Sequence, residues 1–293
     1  FEQGRQCEAS GDWQGALDAY EQAGAIDDGY ADLAFCRARC LKGLGRIEDA
    51  RQAFEEARDL DTLRFRADSS IEKAIRDAAG ALGGQGVHLC DLTAALEEKA
   101  QDGLLGDDLL LDHVHLNFRG NFLAALAAME RIREAIPEAK LVESERTEAE
   151  LLKGVRDCLL FGNKEIYEQA MMMYRRKTLP PFAGQITHEA ELRRLREGLF
   201  ALRRLVKDRE TTEDGVRAAV EQAPLDPYLN VRYGQFLLDQ GRIGDAVRHY
   251  QRALESRPYD MTLRLAMARA CAQAGMKDQD IEHIQFPECK RHF

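Results

Sequence analysis

One recurring pattern constrains this chain more than anything else in it. Gly4, Gly11, Ala16, Tyr20 and Ala23 return as Ala38, Gly45, Ala50, Phe54 and Ala57, a period of about 34 residues. The same grid falls on LDPYLNVRYGQFLLDQGRIGDAVRHYQRALESRPYD as Gly234, Gly241, Ala246, Tyr250, Ala253 and Pro258. One period further on, Ala268 and Gly275 land on it again. A period of this length means stacked supersecondary units, each unable to bury its apolar face alone. The residue types describe a helical pair. Small residues at Gly4, Ala38, Gly234 and Ala268 let the first helix approach the second. The aromatic at Tyr20, Phe54 or Tyr250 is expected to fill the space between neighbouring pairs. The turn glycines supply φ > 0 where a helix stops, and Pro258 cannot continue one.

This grid resembles the tetratricopeptide repeat. Upstream, Ala219 and Pro224 keep its register, so Arg193 to Ala223 reads as a divergent repeat. The last repeat has Asp280 where a small residue is expected, as a degenerate capping unit would. The resemblance implies an extended peptide or a protein partner held in a concave groove. Register places Phe35, Arg39 and Lys42 on its wall in one block, and Val231, Gln235 and Leu238 in the other. That lining lacks the paired Lys and Asn set with which some relatives clamp a C-terminal carboxylate, so no chaperone-tail partner follows. The competing expectation is that the repeats only pack against the rest of their own protein.

Between Thr62 and Pro137 the period vanishes. DSSIEKAIRDAAGAL opens with Ser69 and Glu72 spaced as a capping box and continues as an amphipathic helix. GGQG breaks it, and VHLCDL, Val87 to Leu92, reads as a short strand. TAALEEKAQ is a second helix, LLLDHVHLNFRG a loop, and Asn121 to Ile136 a long helix. Helix, strand, helix, loop and helix describe the closing part of an α/β unit. A lone strand leaves its edges unpaired, so partner strands are expected outside this stretch. An exposed edge also makes self-association an expectation.

The loop resembles the last catalytic block of the SGNH, or GDSL-type, hydrolases, in which an Asp-x-x-His precedes the final helix. Here that is Asp112 and His115, and the flanking repeats resemble a bacterial subset of those enzymes. The resemblance implies that His115 takes a proton from a serine hydroxyl and returns it to a leaving alcohol, while Asp112 orients the imidazole. The substrates implied are ester-linked acyl groups. This chain contains no Gly-Asp-Ser nucleophile block, and ADSS, Ala67 to Ser70, reads as a helix cap rather than a substitute for it. The sequence taken alone is therefore expected to be inactive. It opens on Phe1 inside a helix and reads as a fragment of a longer protein.

The fold class expected is mainly α, with helical-hairpin solenoid arrays flanking a partial α/β segment. The boundaries are repeats over 1–61, the hydrolase-like portion over 62–137, a helical connector over 138–190 and a second array over 191–293. The Pro180–Pro181 pair should form a rigid extended link between the last two. A net charge of -10 argues against nucleic acid or an anionic membrane surface as the main partner. No apolar run approaches the ~18 residues of a spanning helix, and the chain reads as cytoplasmic, with a leader outside the sequence left open. Seven scattered cysteines, Cys289 among them, lack a Cys-x-x-Cys pair and read as small apolar fillers. Adjacent Asp112, His113 and His115 point to opposite sides of an extended segment, so no metal and no cofactor is expected. Two functions follow: an ester hydrolase or acyl-transfer protein whose repeats recruit partners, or a non-catalytic scaffold that binds peptides and proteins.

Overall fold

The computed structural model describes residues 1–63, 65–136, 146–206 and 213–275. Asp280, Cys289 and the boundary at Pro137 lie outside them. Among the described residues the chain folds as fourteen α-helices and three short 3-10 turns, with no β-strand. It divides into two compact units, Phe1–Glu145 and Arg146–Phe293.

The first unit opens with α1 (Glu2–Ala9), α2 (Trp13–Gly24), α3 (Ala31–Gly43) and α4 (Ile47–Leu60), each packed on the next. Asp12 caps α2 by accepting from the Gly15 N–H at 2.9 Å. Gly11 and Gly45, at φ +80° and +75°, make the left-handed turn inside each pair. Ala16, Leu17, Tyr20, Ala34, Cys36, Ala38, Cys40 and Ala50 form the core. Burying one such Leu contributes about 1.5–3 kcal/mol, and a hairpin of this length would not be stable without it.

Tyr20 reaches Cys36 of the next pair, as expected from the grid, and its ring also packs within its own pair. A Cβ built on Gly4 would lie 2.5 Å from the Tyr20 ring, so the ring covers the small residue of its own pair. In the second repeat, Phe54 meets Phe35 edge-on at 5.6 Å. The close approach of the two helices creates a slot, and the aromatic fills it from the opposite helix.

After α4 the unit continues through α5 (Ser69–Leu82), α6 (Leu92–Lys99) and α7 (Phe118–Ala135). The strand expected at Val87–Leu92 is absent. Residues 87–91 lack regular structure, and Leu92 already begins α6. A short stretch of this kind does not make a strand without a neighbour to pair with. No α/β segment is therefore present among the described residues, and this corrects the fold class to helical throughout. The cap of α5 also lies one residue earlier than the sequence implied. Asp68 accepts from the Ile71 N–H at 2.9 Å, while Glu72 turns to Arg58 instead. The carboxylate is the better acceptor for the orphan N–H, and it displaces the Ser69 hydroxyl.

The second unit comprises α8 (Glu148–Cys158), α9 (Asn163–Lys177), α10 (His188–Leu205), α11 (Glu213–Gln222), α12 (Pro227–Asp239), α13 (Ile243–Ser256) and α14 (Met261–Gln273). On α13, Ala246, Val247, Tyr250, Ala253 and Leu254 form one buried stripe, which packs between α12 and α14. The register expected α10 and α11 to pair as a divergent repeat, but α10 packs on α9 and α11 on α12. Lys177 explains the choice: its buried ammonium meets Glu191 of α10 at 2.6 Å and lies over the Phe182 ring. Between them, Pro180 and Pro181 lie in a turn that runs into the 3-10 residues Phe182–Gly184, not in an extended link.

Candidate functional site

Asp112 and His115 sit on a tight loop closed by Leu110 and Leu116, which form an isolated antiparallel bridge. The Leu111 N–H donates to the His115 carbonyl at 2.8 Å and the Asn117 N–H to the Leu109 carbonyl at 2.9 Å. Leu109 is fully buried and anchors the loop. Asn117 then caps α7 by accepting from the Gly120 N–H. Gly120 is required here, because a Cβ would lie 2.3 Å from the Leu109 carbonyl oxygen.

Inside this loop Asp112 Oδ1 accepts the backbone N–H groups of Val114 and His115 at 2.9 and 2.8 Å. His115 Nδ1 lies 2.9 Å from both carboxylate oxygens. An ionised carboxylate only accepts, so Nδ1 carries the hydrogen and Nε2 keeps the basic lone pair. Burial pushes the Asp112 carboxyl up, but the two backbone N–H groups and the imidazole outweigh it and leave it below its ordinary value. The Asp112 side chain is 0% exposed and that of His115 49%, so the orienting group is sealed and the base is reachable. The sequence neighbour His113 is engaged elsewhere, its ring 4.8 Å from that of Phe65. The candidate hydroxyls are also taken: Ser69 Oγ accepts from Arg58 at 2.6 Å and Ser70 Oγ donates to Asp68 at 2.6 Å. Among the described residues no group of His, Cys, Asp or Glu side chains is arranged to hold a metal ion.

The residues expected on the groove walls are all exposed or half-buried, and each already has a partner. Phe35 faces Phe54 inside its own pair. Arg39 meets Glu8 of α1 at 2.8 Å, and Lys42 lies 3.8 Å from Asp102. In the second unit Val231 and Leu238 lean against the apolar cluster. Gln235 donates to Asp239 at 2.8 Å and accepts from the Tyr250 hydroxyl at 3.4 Å. Exposed ion pairs of this kind contribute about 0–1 kcal/mol, so a ligand group can replace one of the partners.

Sequence reasoning missed the polar links that pin neighbouring elements. Arg51 of α4 donates to the Gly103 carbonyl at 2.8 Å and lies 3.8 Å from Glu97. Buried Asn230 donates to the carbonyls of Pro224 and Asp226 and meets His249 Nδ1 at 2.9 Å. Arg232 pairs with Glu165. An open depression of about 420 Å³, lined in part by Leu152, Arg156 and Phe161, belongs to the second unit. Asp112 and His115 belong to the first. No described helix is long and apolar enough to cross a membrane.

The tetratricopeptide repeat family model matches residues 8–67 and, separately, residues 229–270. No curated protein matches the chain. Among solved structures it is similar to the crystal structure of the yeast Tom70, at 14% identity and a TM-score of 0.24. That match covers 96% of this chain and 59% of the other, so the chain spans less than two thirds of that protein's length. Each of the two compact units contains one stretch that the tetratricopeptide repeat model matches.

Proposed function

We propose that the chain is a non-catalytic scaffold whose repeats hold extended segments of partner proteins. The supporting observation is that the repeat recurs in both units and leaves side chains of its first helices accessible, Lys42 and Gln235 among them. Phe35, Arg39 and Lys42 form one contact stripe and Val231, Gln235 and Leu238 the other. Two cations in the first stripe favour a segment carrying carboxylates. The test is binding of the purified chain to an array of acidic and neutral peptides. Replacing Arg39 and Lys42 together by Ala should weaken the acidic binders about tenfold or more, a loss of roughly 1.4 kcal/mol, with the helical circular dichroism unchanged. Equal binding by the variant would remove the reading.

A second reading, an ester hydrolase or acyl-transfer protein, is favoured by one observation, the Asp112–His115 geometry. A serine hydroxyl presented to Nε2 would give up its proton to the imidazole and attack an ester carbonyl, and the ester C–O bond would then break as the alcohol leaves with that proton. The resulting acyl-enzyme would then pass its acyl group to water or to an alcohol. A full-length protein that supplies the serine should then react with a fluorophosphonate probe, and His115→Ala in it should lower hydrolysis of a chromogenic ester by several orders of magnitude. Unchanged turnover in that variant excludes the couple.

A further inference from the structure

The turn between α8 and α9 is seated on α12, the first helix of the C-terminal repeat pair. Leu160 lies against the apolar cluster built by α11 to α14. Arg232 of α12 pairs with Glu165 and also donates to the Leu160 carbonyl at 3.4 Å. Cys158 Sγ lies 3.8 Å from Gln222 Oε1 on α11. Burial pushes the Tyr228 phenol up, and Glu165 and Glu168 stand close enough to push it further. Tyr228, Arg232 and Gln235 lie along one side of α12 by helical spacing, and Gln235 is one of the residues that repeat register assigns to a ligand. The chain's own connector therefore covers Arg232, one helical turn from Gln235.

The connector is conformationally strained where it touches. Leu160 has φ +52°, a left-handed backbone that a non-glycine residue rarely adopts. The Glu165 carboxylate is held twice, accepting the Gly162 N–H at 2.8 Å as a cap of its own helix while it meets Arg232. Burial pushes this carboxyl up, but the Gly162 N–H and Arg232 outweigh it and keep it below its ordinary value.

We propose that this face of α12 is a docking site for a partner segment that carries an aliphatic side chain followed by a helix-opening glutamate, and that Leu160–Glu165 occupies it in cis as a displaceable occupant. The proposal rests on the reading that the repeats bind segments of other proteins, and it specifies the chemistry of one of them. Charge complementarity at Arg232 sets the glutamate, and the apolar cluster beneath Leu160 sets the aliphatic residue. A tethered occupant competes at an effective concentration on the order of millimolar. The apparent affinity for a partner then falls by the fraction of time the site is open.

The test uses the whole chain and a fluorescein-labelled peptide of its own residues 157–168. Glu165→Gln and, separately, Leu160→Ala should each open the site and bind the peptide at least about tenfold tighter than the parent chain. Adding Arg232→Ala to either variant should abolish that gain, and a peptide with Gln in place of its glutamate should bind no better to an opened variant than to the parent. Helical circular dichroism identifies any variant that has not folded, and the other variant then carries the test. No gain in either folded variant, or a gain that survives Arg232→Ala, overturns the proposal. So does dimerisation of the opened chain without any gain in peptide binding. The Arg39 and Lys42 variants lie in the other unit, so their loss of acidic-peptide binding would stand even if this site failed.

Discussion

The Tyr250 ring occupies the space that a side chain on Gly234 would need: a Cβ there would lie 2.8 Å from ring atom Cε1. The residues are 16 positions apart on adjacent helices of one pair, as Gly4 and Tyr20 are. Alanine at 234 would gain about 1 kcal/mol of helix propensity, while overpacking costs about 1–3 kcal/mol. Gly234→Ala should therefore be neutral to about 2 kcal/mol destabilising, and Gly234→Val clearly destabilising. Pairing Gly234→Ala with Tyr250→Leu should cost less than the two changes summed. Urea unfolding of all four variants checks this, and strict additivity would show that the ring does not set the helix spacing.

What was legible in the sequence was whatever has a local or periodic signature. The Gly-and-aromatic grid is periodic, and Asp112 with His115 is a three-residue spacing that one loop can close by itself. The strand expected at Val87 to Leu92 rested on a short apolar run, and such a run says nothing about whether a neighbouring strand exists. At Ser69 the spacing to Glu72 was right for a cap, but Asp68 is a stronger acceptor one residue away. The seating of Leu160 and Glu165 on Arg232 joins residues far apart in sequence, and neither end carries a motif. Groove residues were placed by register alone, which cannot reveal that Phe35 turns toward Phe54.

The depressed Asp112 carboxyl gives the first unit a defined response to acid. Its folded-state value lies below the ordinary one of about 3.9, so its contribution is fully present above that value. The contribution is lost as pH falls through the lower folded value. Asp112→Ala should destabilise the unit by about 1–3 kcal/mol, because two backbone N–H groups and Nδ1–H lose their acceptor. The variant should also lose part of the parent's sensitivity to acid. Melting curves between neutral and strongly acidic pH test this, and parallel curves for parent and variant would refute it.

Gly120 controls the same loop from the helix side. A methyl group there meets the Leu109 carbonyl oxygen at 2.3 Å, and neither the anchored backbone of Leu109 nor the capped start of α7 can move without breaking a hydrogen bond. Gly120→Ala should cost about 1–3 kcal/mol. It should also raise amide exchange at Leu111 and Asn117, whose N–H groups close the loop. Exchange mass spectrometry over residues 106–120 reads the effect directly. Unchanged protection would mean that the loop is held without the close helix approach.

Lys177 and Glu191 fasten α9 to α10 in the second unit. Their side chains are 10% and 24% exposed, so removing one partner strands a mostly buried charge. Lys177→Met should destabilise the pair toward the low end of the roughly 3–5 kcal/mol seen for broken buried ion pairs, since Glu191 retains the Thr187 hydroxyl at 2.6 Å. Replacing both, Lys177→Met with Glu191→Gln, should recover part of that loss, because no unpaired charge remains. Burial pushes the Glu191 carboxyl up, but Lys177 and Thr187 outweigh it and set its folded value below the ordinary one. Its contribution is therefore present above the ordinary carboxylate range and disappears as pH falls through the lowered value. Hydrogen exchange across α9 and α10, measured for parent, single and double variants at neutral and acidic pH, separates the two effects. A double variant no more stable than Lys177→Met would show that packing, rather than the stranded charge, sets the cost.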